Sequence, residues 1–171
     1  FYISGFFLTV SPESMEAIGK HALTTNKTFV CNLSAPFLIE VPMFFDRMMA
    51  ILPYVSIYFG NELEANALSK AMNWGTENLT EIAVRLAQSK NESARPRTVV
   101  FTHGAKPTIV VVADESRIWS IKEYAVDLIS PESIVDTNGA GDAVVGGFLA
   151  GLAAGFTIDK CIARGPYAAR M

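Results

Sequence analysis

Charge is the first thing this sequence is short of. Only 18% of its 171 residues are charged, against roughly 25% in soluble domains. Mean hydropathy is correspondingly high, at +0.28. A membrane span does not account for it. The longest apolar run, Ala143 to Phe156, holds fourteen residues, four of them glycine, whereas a spanning helix needs about 20. Gly147, Gly151 and Gly155 do repeat a small residue every fourth position, which in a chain rich in strands reads as close helix–sheet packing rather than membrane dimerisation. Basic clusters are missing too, and net charge is −3, so nucleic acid is not an expected partner. Cysteine is scarce: Cys31 and Cys161 stand alone, without a CxxC pair, which leaves two reduced, buried thiols of a cytoplasmic protein as the reading. The chain opens on the apolar run Phe1 to Val10 with no initial methionine and no basic residue. That is not a signal peptide. A piece that starts inside a buried core is expected instead, and it accounts for the hydropathy as well.

What is present is an alternation of strand and helix patterns. Phe1 to Val10 reads as a buried strand, with Phe6 and Phe7 on opposite sides and Phe7 in the core. Ser11 and Pro12 suit a helix cap and first helical position, predicting a helix to about Thr25 that Asn26 ends. Lys27 to Leu33 is the second strand. Val41 to Leu52 has helical spacing up to Pro53, and Val55 to Phe59 is a third strand closed by Gly60-Asn61. Glu62 to Met72 and Thr76 to Lys90 are predicted helices, the latter with Leu79, Ile82, Ala83, Leu86 and Ala87 on one face, and the polar stretch Asn91 to Arg97 reads as a surface loop. Thr98 to Phe101, Thr108 to Ala113 and Ile118 to Tyr124 are further strands, the last two adjacent and antiparallel. A loop, Ser130 to Asn138, leads to a glycine-rich helix from Gly139, and a last helix covers Ile158 to Arg170. This order implies an α/β fold with a mostly parallel sheet and helices on both faces. Ligands of such sheets bind beyond the carboxyl ends of the strands. The polar residues Asn32, Asn61, Thr102 and Asp136 fall at those ends.

The strongest local signal is Asp136-Thr137-Asn138-Gly139-Ala140-Gly141-Asp142 before an apolar helix. Small residues at 139 to 141 let backbone N–H groups approach a ligand at a helix N-terminus, where an anion is favoured. Asp142 in the first turn is placed to accept a proton from an attacking hydroxyl. Alternatively, it only favours the helix start electrostatically. The segment is not a phosphate-binding G-x-x-x-x-G-K-[ST] loop, because no lysine follows. Nor is it the dinucleotide fingerprint, which needs a strand directly before it.

The segment resembles the D-T-x-G-A-G-D signature of the ribokinase-like carbohydrate kinases. Asn61-Glu62-Leu63-Glu64 is similar to that family's N-x-x-E motif. Phe1 to Ser14 and Asn32-Leu33-Ser34-Ala35-Pro36-Phe37 look like the adenosine kinases within it. The resemblance runs over essentially the whole chain and implies a three-layer α/β/α fold, incomplete at the N-terminal side. The 171 residues would be part of the large nucleotide-binding domain, the C-terminal half of the parent, and idle alone. The lid, a paired-glycine motif, the acid that grips the ribose and a phosphate-holding arginine would lie elsewhere.

The implied reaction is transfer of the ATP γ-phosphoryl to the 5′-hydroxyl of adenosine, giving AMP and ADP, in the cytoplasm and also the nucleus, by a monomeric parent. Asp142 would be the base and Gly139, Ala140 and Gly141 the anion hole. Asn61 and Glu64 would serve Mg²⁺ through water, Phe6 and Phe37 would pack on adenine, and Asn138 would touch the nucleoside or nucleotide. Thr102, Gly104, Tyr167 and Ala168 would line the ATP site. From the residues alone, Phe6 and Phe37 are equally open to plain core packing and Glu64 to solvating a helix face. The rival readings are a kinase of the same family acting on ribose, fructose or another nucleoside, and a non-catalytic nucleotide-binding fragment.

Overall fold

The computed structural model describes residues 1–126 and 139–168. They divide into two compact units: Phe1–Gly104 with Thr108–Glu123, and Ala105–Pro107 with the chain from Tyr124 on.

The first unit is built on a sheet of strict sequential order: β1 (Tyr2–Ile3), β2 (Val30–Asn32), β3 (Ile57–Asn61), β4 (Arg97–His103), β5 (Lys106–Ala113) and β6 (Ile118–Tyr124). The first four strands are parallel. Only Gly104 and Ala105 join β4 to β5. A parallel pair needs a crossover of a dozen residues or more, so this pair is antiparallel. Gly104 adopts φ +54° in that turn.

Each parallel step carries helices. They are α1 (Pro12–Thr24), then α2 (Phe37–Glu40) and α3 (Pro42–Ile51), then α4 (Glu62–Ala71) and α5 (Leu79–Ala87). Three right-handed crossovers in one direction put them on one face of the sheet. The core bears this out. Register aligns Cys31, Tyr58 and Val99 on one face, and these cluster with Met15, Met48, Leu68, Ile82 and Leu86 from the helices. Val30, Ile57, Phe59 and Val100, on the opposite face, are buried as well. Burial on both faces is why these strands read as continuous apolar runs rather than alternations.

The helix starts follow local chemistry. Ser11 Oγ accepts from Ser14 N at 3.4 Å, with Pro12 in the first turn. Asn78 accepts from Glu81 N at 3.0 Å, so α5 begins at Leu79 and not at Thr76. Asn26 takes φ +54° just past α1. The Val41–Leu52 segment is helical from Pro42, with the short α2 before it.

The expected strand over Phe1 to Val10 is corrected. Pairing stops at Ile3, and Gly5–Thr9 is a 3₁₀ turn. Phe7 N donates to Ser4 O and Val10 N to Phe7 O, both at 3.0 Å. The chain leaves the sheet because Gly5 sits against the end of β2. A Cβ there would lie 2.3 Å from Asn32 O. Phe7 therefore does not enter the core and is 38% exposed.

The second unit holds α6 (Ala140–Ala153) and α7 (Ile158–Ala168), packed together. The close approach expected in the glycine-rich helix is made to a helix: a Cβ on Gly151 would lie 3.1 Å from Cys161 Sγ. Gly165 returns the favour, 2.9 Å from Val144 O on the same measure. Neither helix is long and apolar enough to cross a membrane, nor is any other among the described residues. Cys31 and Cys161 are free and buried, and burial pushes the Cys31 thiol up to about 12.

Candidate functional site

The sheet's carboxyl edge gathers polar groups. Asn32 ends β2, Asn61 ends β3, and Thr102 lies opposite Asn61 in β4. Because β2 to β4 run parallel, these ends fall on one side of the sheet. Thr102 Oγ1 reaches Gly60 O at 3.4 Å.

At Asn32 the edge is extended by two aromatic rings. Phe6, on the 3₁₀ turn, and Phe37, the first residue of α2, have centroids 6.0 Å apart with a 44° tilt. Phe44 of α3 meets Phe37 edge-on at 6.1 Å, and the Arg47 guanidinium lies 5.6 Å from the Phe44 ring centre. Arg47 Nη1 also donates to Leu8 O at 2.9 Å, tying α3 to the turn that carries Phe6. Phe6 and Phe37 remain 49% and 42% exposed. Core packing, the alternative open from sequence, does not describe them.

Asn61 and Glu64 form a reciprocal cap on α4. Asn61 Oδ1 accepts from Leu63 N and Glu64 N, both at 2.9 Å. Glu64 Oε2 accepts from Asn61 N, and Oε1 from Asn61 Nδ2, both at 3.0 Å. This is a capping box with asparagine at its head. Gly60 makes room for it, since a Cβ there would sit 3.2 Å from Glu64 Oε2 and 2.9 Å from Leu33 Cδ1. Glu64 is 6% exposed, so it does not merely solvate a helix face. Burial raises its carboxyl, opposed by the bonds from Asn61. Among the described residues no three His, Cys, Asp or Glu side chains converge as a metal cage. A carboxylate with each oxygen already accepting one bond fits a water-bridged cation better than a direct ligand.

The raised Glu64 carboxyl sets a pH dependence. The folded chain holds that proton more tightly than the unfolded chain does. Its favourable contribution is complete below the ordinary value of 4.5 and is lost as pH rises through the raised native value. Glu64→Gln removes the titration and gives up one of the two bonds from Asn61, about 1 kcal/mol. Denaturant melts from pH 4 to 7 should show the Gln variant gaining on the wild type as pH rises. A constant difference would place the proton elsewhere.

The second unit carries the glycine-rich segment. Gly139 is the N-cap of α6 in the left-handed region, φ +76°, a conformation that costs glycine little. Ala140, Gly141 and Asp142 form the first turn, and Ala143 N closes it on Gly139 O at 2.8 Å. A Cβ added at Gly139 or Gly141 would meet no atom of the described residues within 4 Å. The first N–H groups of a helix have no intrahelical acceptor, and these are the groups an anion site at a helix start uses. Asp142 is exposed in that turn.

Asn138 lies outside the described residues. Tyr167 and Ala168 belong to the last turn of α7, with side chains also outside them. Thr102 and Gly104 fall at the end of β4 and in the turn after it.

Two features went unread in the sequence. Ser34 adopts φ +68°, which nothing about serine announces. Arg97, expected on a surface loop, is wholly buried.

Comparison with known proteins follows this geometry closely. The model of the pfkB family carbohydrate kinases matches residues 1–171. Adenosine kinase 1 of Arabidopsis thaliana is 45% identical over 172 residues, covering 100% of this chain and 48% of that protein. Adenosine kinase of Dictyostelium discoideum is 46% identical over 169 residues, covering 98% and 47%. The chain thus spans about half the length of the curated relatives it matches. Among solved structures, Anopheles gambiae adenosine kinase in complex with P1,P4-di(adenosine-5) tetraphosphate superposes with a TM-score of 0.93 at 46% identity. It covers 99% of this chain and 49% of that one. The expected ribokinase-like α/β class is borne out. Fold, sequence and motif placement agree: the chain belongs to the pfkB family of carbohydrate kinases.

Proposed function

We propose that the protein transfers the γ-phosphoryl group of ATP to the 5′-hydroxyl of adenosine, giving AMP and ADP. The observation that carries the nucleoside reading is the pair of exposed rings, Phe6 and Phe37, beside the carboxyl edge of the sheet. A bare sugar offers no flat face for them, whereas a purine does. Relatives described as adenosine kinases support the same choice.

In this reading residues 1–171 are part of the large nucleotide-binding domain. Asp142 takes the proton of the attacking hydroxyl, and the N–H groups of Gly139, Ala140 and Gly141 hold phosphate oxygens as charge shifts onto them. Asn138 contacts the nucleoside or nucleotide. Thr102, Gly104, Tyr167 and Ala168 border ATP. Mg²⁺, when bound, neutralises phosphate charge. Asn61 and Glu64 would hold it through water, with the capping box fixing the direction of the carboxylate. The enzyme works as a monomer in the cytoplasm and also the nucleus.

The test is turnover by the full-length protein with ATP and Mg²⁺ on adenosine, guanosine, inosine and ribose in competition. Stacking contributes about 1–3 kcal/mol per base, so adenosine should exceed ribose in kcat/KM by about 10²-fold. Equal turnover of ribose would replace this reading with a sugar kinase.

A further inference from the structure

The rings of Phe6 and Phe37 come from segments 31 residues apart in sequence. Something must set their spacing, and one side chain touches both segments. Asn32 Oδ1 accepts from Gly5 N at 2.8 Å. A backbone N–H can only donate, so this bond fixes which end of the amide is oxygen. The same oxygen accepts from Ser34 Oγ. With its proton committed to Asn32, Ser34 Oγ is left to accept from Ser4 Oγ, 3.1 Å away. A hydrogen-bonded chain therefore runs from Ser4 to Ser34 to Asn32 to Gly5. One end is the entry to the turn bearing Phe6. The other is the left-handed Ser34, from which Ala35 and Pro36 lead directly to Phe37. The docking is tight: Gly5 leaves no room for a Cβ against Asn32 O, and one would also lie 3.0 Å from Ser34 Oγ.

We propose that Asn32, acting through Ser34, is a positioning residue that sets the separation and tilt of Phe6 and Phe37 and thereby the preference of the site for a flat base. Its Oδ1 is the working atom. Among the described residues its Nδ2 donates no hydrogen bond to the protein, so the amide is kept for its acceptor. Without that acceptor, Gly5 N loses its partner and Ser34 loses the bond that holds it in an unfavourable conformation. The two aromatic segments then lose the anchor they share at the end of β2, and the Arg47 bond to Leu8 O alone does not set the ring spacing. The kinetic part of this inference rests on the adenosine reading above, and the geometric part does not.

The test has two arms on the full-length protein. In the first, 4-fluorophenylalanine is incorporated and the ¹⁹F resonances of positions 6 and 37 are assigned with Phe6→Leu and Phe37→Leu. Asn32→Ala and Ser34→Ala should shift both resonances together, and Asn32→Asp, which keeps an acceptor, should restore them towards the wild type. In the second arm, Asn32→Ala should raise KM for adenosine about tenfold, as partial loss of stacking demands. KM for ATP should hold, and Asn32→Asp should recover most of the loss. Unmoved resonances in both alanine variants overturn the proposal. So does an aspartate variant as damaged as the alanine, since Nδ2 would then be the working atom. If Asn32→Ala fails to fold, Ser34→Ala and Asn32→Asp still decide it. A wild type that turns over no adenosine rejects the adenosine reading, and the fluorine arm then decides the positioning alone.

Discussion

Asp142→Asn in the full-length protein is expected to lower kcat by about 10²–10⁴-fold, the range that a positioned general base supplies. The substitution is nearly isosteric. It keeps an oxygen acceptor in the first turn of α6 and removes only the capacity to take a proton. KM values should therefore stay close to those of the wild type, a loss confined to the transition state. The competing account gives Asp142 nothing beyond a favourable charge at a helix start. That account predicts a change of about 0.3–1 kcal/mol in stability and no change in turnover. Steady-state kinetics and a melt on the same preparation separate the two.

Replacing Arg97 with Met should be strongly destabilising. It is fully buried and forms no ion pair among the described residues, with the Glu115 carboxylate acting on it only at longer range. Nε donates to Val55 O at 2.9 Å. Nη1 donates to Leu86 O, Ser89 O and Ser89 Oγ at 2.9–3.0 Å, and Nη2 to Leu52 O and Lys90 O at 2.8 Å. Burial pushes the group down to about 10, which leaves it charged at neutral pH. Leu86, Ser89 and Lys90 belong to or follow the end of α5, where the helix dipole favours a cation. Leu52 and Val55 flank the turn entering β3. One side chain thus closes two chain ends: Val55 O, Ser89 O and Lys90 O depend on it, whereas Leu52 O and Leu86 O also accept from Val55 N and Ser89 Oγ. An orphaned buried acceptor costs about 1–3 kcal/mol, and partial relaxation makes about 3–5 kcal/mol a fair expectation. For a chain of this length that is a fall in Tm of about 10 °C. Arg97→Lys should recover little, because an ammonium cannot span acceptors laid out for a planar fork. A melt within 2–3 °C of wild type for Arg97→Met would show that water replaces the guanidinium.

The parts of the fold that were legible in the sequence are those decided within a few residues. Ser11-Pro12 starts a helix and Gly139 precedes another, because a cap needs only its own first turn. Strands β2 to β5 were legible because burial on both faces writes itself as an apolar run. The misreadings share a cause. Gly5 leaves the sheet because of Asn32, 27 residues later. Arg97 is buried because its partners include carbonyls 42 and 45 residues earlier. No local pattern carries such information. The site divides in the same way. Asp142 announces itself by its place just after Gly139-Ala140-Gly141, whereas Glu64 followed from resemblance to the N-x-x-E motif. The pairing of Phe6 with Phe37 followed from resemblance, since only the tertiary structure brings a 3₁₀ turn against a four-residue helix.

The sequential order of the strands has a consequence for synthesis. Each strand from β2 to β6 pairs with the one made immediately before it. A chain emerging from the ribosome can therefore lay down its sheet in the order of translation, never waiting for a later strand to fill a gap between two earlier ones. Every closure spans one helix-bearing segment or one short turn, and the entropy of closing loops that size grows only slowly with length. At each moment the newest strand presents one fresh edge, and the next stretch of chain to appear is the one that covers it. Pairing in order of appearance shortens the time for which that edge is open to a neighbouring nascent chain.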